Sequence, residues 1–221
     1  MGEALESFFL DGEAGRLEAL LNTGSPRAQY CALVCHPHPL YGGTMHNKVV
    51  FHTMKELNAR GFPVLRFNFR GVGASAGEHD EGRGEVNDVQ RALDYLSQRF
   101  KLPIFFAGFS FGAAIGLRAA APDPRVETLI ALGMPMNAEG RQYSHRALVE
   151  SAKPKLMLSG ELDQFATPEQ LRAIYAAAAE PKRLAIIPEA DHFFTGKLPE
   201  MRAALSEWLS EILGQQTIPA V

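Results

Sequence analysis

The stretch Ile104-Phe105-Phe106-Ala107-Gly108-Phe109-Ser110-Phe111-Gly112-Ala113-Ala114-Ile115-Gly116 decides how the rest of the 221-residue chain reads. Its first half is a short apolar strand, its second a helix of small residues, and Ser110 sits at the tip of the turn between them. A helix that doubles back so tightly leaves no room for a Cβ two residues before or after the tip. Gly108 and Gly112 fill those positions. Such a turn holds its serine in an exposed, strained conformation and aims the first helical N–H groups at the space beside it. This G-x-S-x-G elbow makes Ser110 the candidate nucleophile.

Composition narrows what can surround that serine. With 46% hydrophobic residues and a net charge of −3, the chain can bury a sizeable core and carries no basic footprint for nucleic acid. Its length suits a single domain over residues 1–221. No apolar run approaches the ~20 residues that span a bilayer, so no membrane partner is expected. The acidic, interrupted start from Met1 to Leu10 does not read as a signal peptide, and Ser7 stands one position late for a myristoylation motif. Cys31 and Cys35 share a face of one strand but lie too far apart to bridge. A reducing, cytoplasmic home and a monomer or homodimer are the expectations.

Outward from the elbow, strands alternate with helices. Glu6–Leu10 and Arg16–Asn22 predict a hairpin, and Tyr30–Cys35 a strand buried on both faces. The segment from His36 to His46 cannot be regular because of Pro37, Pro39, Gly42 and Gly43. Asn47–Arg60 and Glu85–Phe100 carry helical spacing, with strand Pro63–Phe69 and the loop Arg70–Gly77 between them. Beyond the elbow come strand Val126–Leu132, a polar segment Gly133–Ala152, strand Pro154–Leu158, and a helix from Pro168 through Ala179. Strand Arg183–Ile187, helix Lys197–Leu213 and a frayed tail from Gly214 complete the chain. The pattern predicts an α/β fold: a doubly wound, mostly parallel sheet with helices on both faces.

In such sheets the working loops lie at the carboxyl ends of the strands. Three of those ends supply Ser110, the run Ser159-Gly160-Glu161-Leu162-Asp163, and Asp191-His192. A serine needs a base, and the base an orienting carboxylate. His192 is the candidate base. Asp163 competes with Glu161 and Asp191 as the acid, but Glu161 comes too soon after its strand and Asp191 adjoins the histidine.

With those residues in place, the chain resembles the α/β-hydrolase superfamily, and within it small bacterial serine hydrolases that carry no real lid. The matching stretches are His36-Pro37 with Gly42-Gly43, Met45–Val50, Arg66–Gly77, the elbow with its helix, and Asp191–Phe194. It is similar to the dienelactone-hydrolase and Xaa-Pro-peptidase-like group, but with Ser110 where dienelactone hydrolases carry cysteine. The resemblance implies a Ser110–His192–Asp163 triad, no cofactor and no metal, and a short flap at residues 133–152 in the cap position. It implies two oxyanion donors, the N–H of Phe111 and one from the loop His36–Gly43. Pro37 and Pro39 have no N–H, so His38 is the first choice and Leu40 or Tyr41 the fallback.

The expected activity is hydrolysis of a small-molecule ester with a short acyl group, with thioester or amide hydrolysis as alternatives. A non-catalytic hydrolase-fold binding protein is the reading from another class. Leu40, Tyr41, Phe109, Met134, Phe165 and Phe193 are candidates for substrate contact, with Phe111, Met136 and Phe194 as further pocket or core residues. His36-Pro37-His38 has a spacing that metals use but lacks a third ligand. Gly71–Gly77 imitates a dinucleotide fingerprint without the helix that should follow at once. His46 and Asn47 are expected to hold their loop by hydrogen bonds.

Overall fold

The computed structural model describes residues 4–138 and 141–216. One eight-stranded sheet runs in the order β1-β2-β4-β3-β5-β6-β9-β10. Its strands are β1 (Leu5–Gly12), β2 (Gly15–Asn22), β3 (Cys31–Cys35), β4 (Val64–Phe67), β5 (Ile104–Phe109), β6 (Val126–Leu132), β9 (Lys155–Gly160) and β10 (Lys182–Ile187). The hairpin β1–β2 joins β4 in antiparallel register, and every pairing beyond β4 is parallel. A two-stranded ribbon, β7 (Asn137–Ala138) with β8 (Arg141–Gln142), stands apart from the main sheet.

Successive side chains of the central strands enter different cores, which is why these strands read as unbroken apolar runs. Cys31, Leu33, Cys35, Ile104 and Phe106 pack with Val89, Leu93 and Leu96 of α2 (Gly84–Phe100) and with α3 (Phe111–Ala120). Leu148 of α4 (Arg146–Glu150) and Ile174 of α5 (Pro168–Ala177) pack against the same face. Ala32, Val34, Phe105, Ala107 and Phe109 pack on the other face against Val50, Met54 and Leu57 of α1 (Lys48–Asn58). Met201, Leu205 and Trp208 of α6 (Leu198–Gln216) join them. The last helix runs past the expected end at Leu213, and the remainder of the expected tail, 217–221, lies outside the described residues.

Strand β3 leads to β4 on one side, whereas β4 crosses back to β5 on the other. The crevice at a strand-order reversal is where such sheets place their ligands. The loop after β3 and the elbow after β5 therefore face each other there.

Two close approaches set the elbow. A Cβ on Gly108 would lie 2.5 Å from Gly112 O, and one on Gly112 would lie 2.5 Å from His36 O and 2.6 Å from Cys35 O. All three obstacles are backbone atoms, so no rotamer change relieves them. At the opposite end of the sheet, Lys155 Nζ donates to Ala179 O just past α5, and Lys182 Nζ to Ala178 O. These cations meet the negative end of the α5 dipole.

Gly112→Ala is predicted to lower the unfolding free energy by about 1–3 kcal/mol, the range for overpacking. Urea denaturation measures it, and a midpoint equal to wild type contradicts the packing account.

Candidate active site

Ser110 has φ 55° and ψ −121°, a positive-φ conformation that side-chain-bearing residues rarely adopt. Such an outlier costs on the order of 1–3 kcal/mol. The turn is held by Ser110 N donating to Leu132 O at 2.9 Å and by Ser110 O accepting from Ala113 and Ala114 N–H. Ser110 thereby presents its hydroxyl at the carboxyl end of β5.

His192 Nε2 lies 3.0 Å from Ser110 Oγ, and Nδ1 lies 2.9 Å from Asp163 Oδ2. With Asp163 as the acceptor, the network assigns the proton to Nδ1 and leaves Nε2 to accept from the serine. Asp163 Oδ2 also accepts from Ser159 Oγ at 2.9 Å, and Oδ1 accepts from Phe165 N at 2.9 Å. All three side chains are buried. The competing acids serve elsewhere: Glu161 Oε2 accepts from Glu189 N, and Asp191 Oδ1 from Phe193 and Thr195 N.

Local chain chemistry brings these loops together. A Cβ on Gly160 would lie 2.2 Å from Ala190 O, so only glycine lets the loop after β9 touch the loop after β10. Gly133, at φ 49°, passes under the His192 ring, where a Cβ would meet Phe109 at 2.9 Å and His192 Cε1 at 3.2 Å. The imidazole is then enclosed by the rings of Phe165 at 4.6 Å, Phe109 at 5.0 Å and Phe193 at 5.1 Å.

The loop after β3 forms a tight turn. Its carbonyl at His38 accepts from Tyr41 and Gly43 N–H, and His38 Nδ1 accepts from Leu40 N at 3.2 Å. The N–H groups of Leu40 and Tyr41, the two fallback donors, are thus engaged within the turn. Asn47 Oδ1 accepts from Val49 N and caps α1. His46 differs from expectation: its side chain is exposed, and the structure shows no hydrogen bond from it among the described residues.

A cavity of about 230 Å³ opens over Ser110, lined by Pro37, His38, Tyr41, Phe111, His192 and, opposite them, Pro135, Tyr143, Phe165 and Phe193. Three of the expected contact residues, Tyr41, Phe165 and Phe193, line it. The other three do not. Leu40 is exposed and does not line the cavity, Phe109 is fully buried beneath the His192 ring, and Met134 belongs to the core on the α2–α3 face. Spacing along a loop does not tell which side of it faces the pocket. Pro135, Tyr143 and Ser159 were missed, and no motif in the sequence marks them.

His36 is no ligand. Its Nε2 accepts from Phe69 N at 3.0 Å and Nδ1 donates to Pro37 O at 2.6 Å, so both nitrogens are used. Among the described residues no group of His, Cys, Asp or Glu could hold a metal ion. Gly71–Gly77 stays a loop that Glu18 Oε2 ties down through Ala74 N, and the next helix begins only at Gly84. Cys31 and Cys35 are free and buried, and burial pushes the Cys31 thiol up to about 12, which keeps it un-ionised. No helix among the described residues is long and apolar enough to cross a membrane.

A family model described as an alpha/beta hydrolase domain matches residues 33–210, which include every strand end just described. The chain belongs to the α/β-hydrolase family. It is 37% identical to an alpha-beta serine hydrolase homologue from Coxiella burnetii, with a TM-score of 0.84 over 92% of this chain and 97% of that one. It is 31% identical to a serine hydrolase without lid from Xanthomonas campestris, with a TM-score of 0.82 over 100% and 98% of the two chains. An uncharacterised protein of Rickettsia prowazekii is 35% identical over 94% of this chain and 90% of its own.

Burial lowers the His36 pKa to about 4 from 6.5. The unfolded chain therefore binds a proton there between those values while the folded chain does not, so stability falls as pH drops from 6.5 toward 4. At about 1.36 kcal/mol per pH unit the loss reaches about 3 kcal/mol. Denaturant unfolding at pH 7 and pH 4.5 should show it in wild type and less of it in His36→Gln; equal losses in both remove His36 as the cause.

Proposed function

We propose that the chain is a serine hydrolase acting on small carboxylic esters. The observation that carries this reading is the continuous hydrogen-bonded line from Ser110 Oγ through His192 to Asp163. His192 Nε2 takes the serine proton as Ser110 attacks the ester carbonyl. Asp163 holds the tautomer and stabilises the imidazolium that forms. The N–H of Phe111, which has no acceptor among the described residues, and the N–H of His38 receive the oxyanion. His192 then protonates the leaving alcohol, and a water molecule, activated by the same imidazole, releases the acyl group. The cycle balances with ester and water alone.

The cavity supports the substrate class. At about 230 Å³ it lies below the ~300–1,000 Å³ of whole-ligand pockets, so it suits one short arm of a substrate. Among the described residues its lining holds no Lys, Arg, Asp or Glu, and an ionised arm would be desolvated there without a partner. The two buried, free thiols are compatible with a reducing compartment and support the cytoplasmic reading.

A fluorophosphonate probe should label wild-type protein at Ser110, and folded protein that stays unlabelled refutes the hydrolase reading. Ser110→Ala and His192→Ala should each lower kcat/KM by about 10³-fold or more with little change in thermal midpoint. In a series of acetyl, butyryl, octanoyl and dodecanoyl esters of one alcohol, kcat/KM should peak at the short chains. A steady rise to dodecanoyl argues against the small cavity as the acyl site.

A further inference from the structure

Behind the loop assigned to the second oxyanion donor sits a buried histidine that acyl transfer leaves unused. The His79 side chain is 7% exposed. Its ring centroid lies 4.8 Å from that of His38 and 5.6 Å from that of Phe111, and His38 and Phe111 are 4.7 Å apart. Three rings therefore close on one another, and two of them belong to the residues whose N–H groups face the oxyanion in the proposed mechanism.

His79 is itself anchored. Its Nδ1 lies 2.8 Å from Glu85 Oε1. The contact is not an aligned hydrogen bond, and neither ring nitrogen has a hydrogen-bond partner among the described residues. Glu85 is fully buried in the first turn of α2 and accepts from Asp80 N and Gly82 N at 2.8 Å each. The carboxylate thus ties the segment that carries His79 to the rigid start of a helix.

The His38 ring and its backbone cannot move independently. Nδ1 accepts the Leu40 N–H inside the same turn whose closure uses the His38 carbonyl. Rotating or sliding the ring breaks that bond and re-aims the loop. Packing on the ring, from Tyr41 at 4.8 Å as well as from His79 and Phe111, therefore bears on the orientation of the loop.

We propose that His79, held by Glu85, is a positioning residue for the oxyanion loop, its ring fixing His38 in the orientation that serves Ser110. This rests on the acyl-transfer reading. An oxyanion donor binds the developing charge more strongly than the ground-state carbonyl, so its misplacement shows in kcat rather than KM. A displacement of about 1 Å can cost on the order of 10²-fold.

The test compares His79→Ala, His79→Leu and His79→Phe in the full chain, with butyryl ester turnover and inhibition by a trifluoromethyl ketone, which adds to serine as a tetrahedral oxyanion. Removing the ring should lower kcat roughly 10- to 100-fold with KM within about twofold, and weaken the ketone by the same factor. His79→Phe should return kcat to within about threefold of wild type. If His79→Ala does not fold, the Leu and Phe pair carries the comparison. Wild-type kcat in the folded ringless variants, a loss confined to KM, or unchanged ketone affinity overturns the role of His79. An inactive, unlabelled wild type would instead overturn the hydrolase reading itself.

Discussion

The site depends on backbone meeting backbone without a side chain between. Gly112 lies against the carbonyls of Cys35 and His36, and Gly108 against the carbonyl of Gly112. That contact locks β3, β5 and α3 into one unit and sets the distance between Ser110 and the loop that faces it. The positive φ of Ser110 is a local cost of about 1–3 kcal/mol. Burying Phe111, Ile115 and Leu117 of α3 contributes roughly 1.5–3 kcal/mol each, so packing outweighs strain. The serine stays bent because its helix cannot leave the sheet.

His192 and Asp163 are positioned differently, by loops that pin each other. Gly160 lets the loop after β9 sit on Ala190, and Leu162 N donates to Ala190 O at 2.8 Å. Asp163 has partners on both oxygens, and the phenyl rings around His192 leave its nitrogens only one line along which to act. Precision here comes from crowding more than from any single strong bond.

Much of this was legible in the residues. The sheet could be read because strands buried on both faces have no polar alternation, as Ile104–Phe109 shows, and because glycine and proline punctuate every loop. Ser110, Asp163 and His192 stand at strand ends, where spacing carries information, and the structure brings those three within hydrogen-bond reach. Facing within loops was not legible. Leu40 and Tyr41 are neighbours, yet only Tyr41 lines the cavity. Phe109 precedes the serine but alternates to the face beneath the histidine, and Met134 follows a turn whose direction no pattern announces. Ser159, which steadies Asp163, is an ordinary serine until its neighbour four residues on is seen beside it.

The small residues of α3 have a further consequence, one of sequence drift. Ala113, Ala114, Gly116, Ala119 and Ala120 let this helix lie close on the sheet, and a Cβ at Gly116 would already press on the Phe106 ring at 2.3 Å. Any larger residue here lifts the helix and carries the Phe111 N–H with it. Pro135 and Tyr143 on the cavity wall, by contrast, stand in loops outside every strand and helix, where a change of size moves neither. A lineage descended from this chain is therefore free to change what it accepts long before it can change how it reacts.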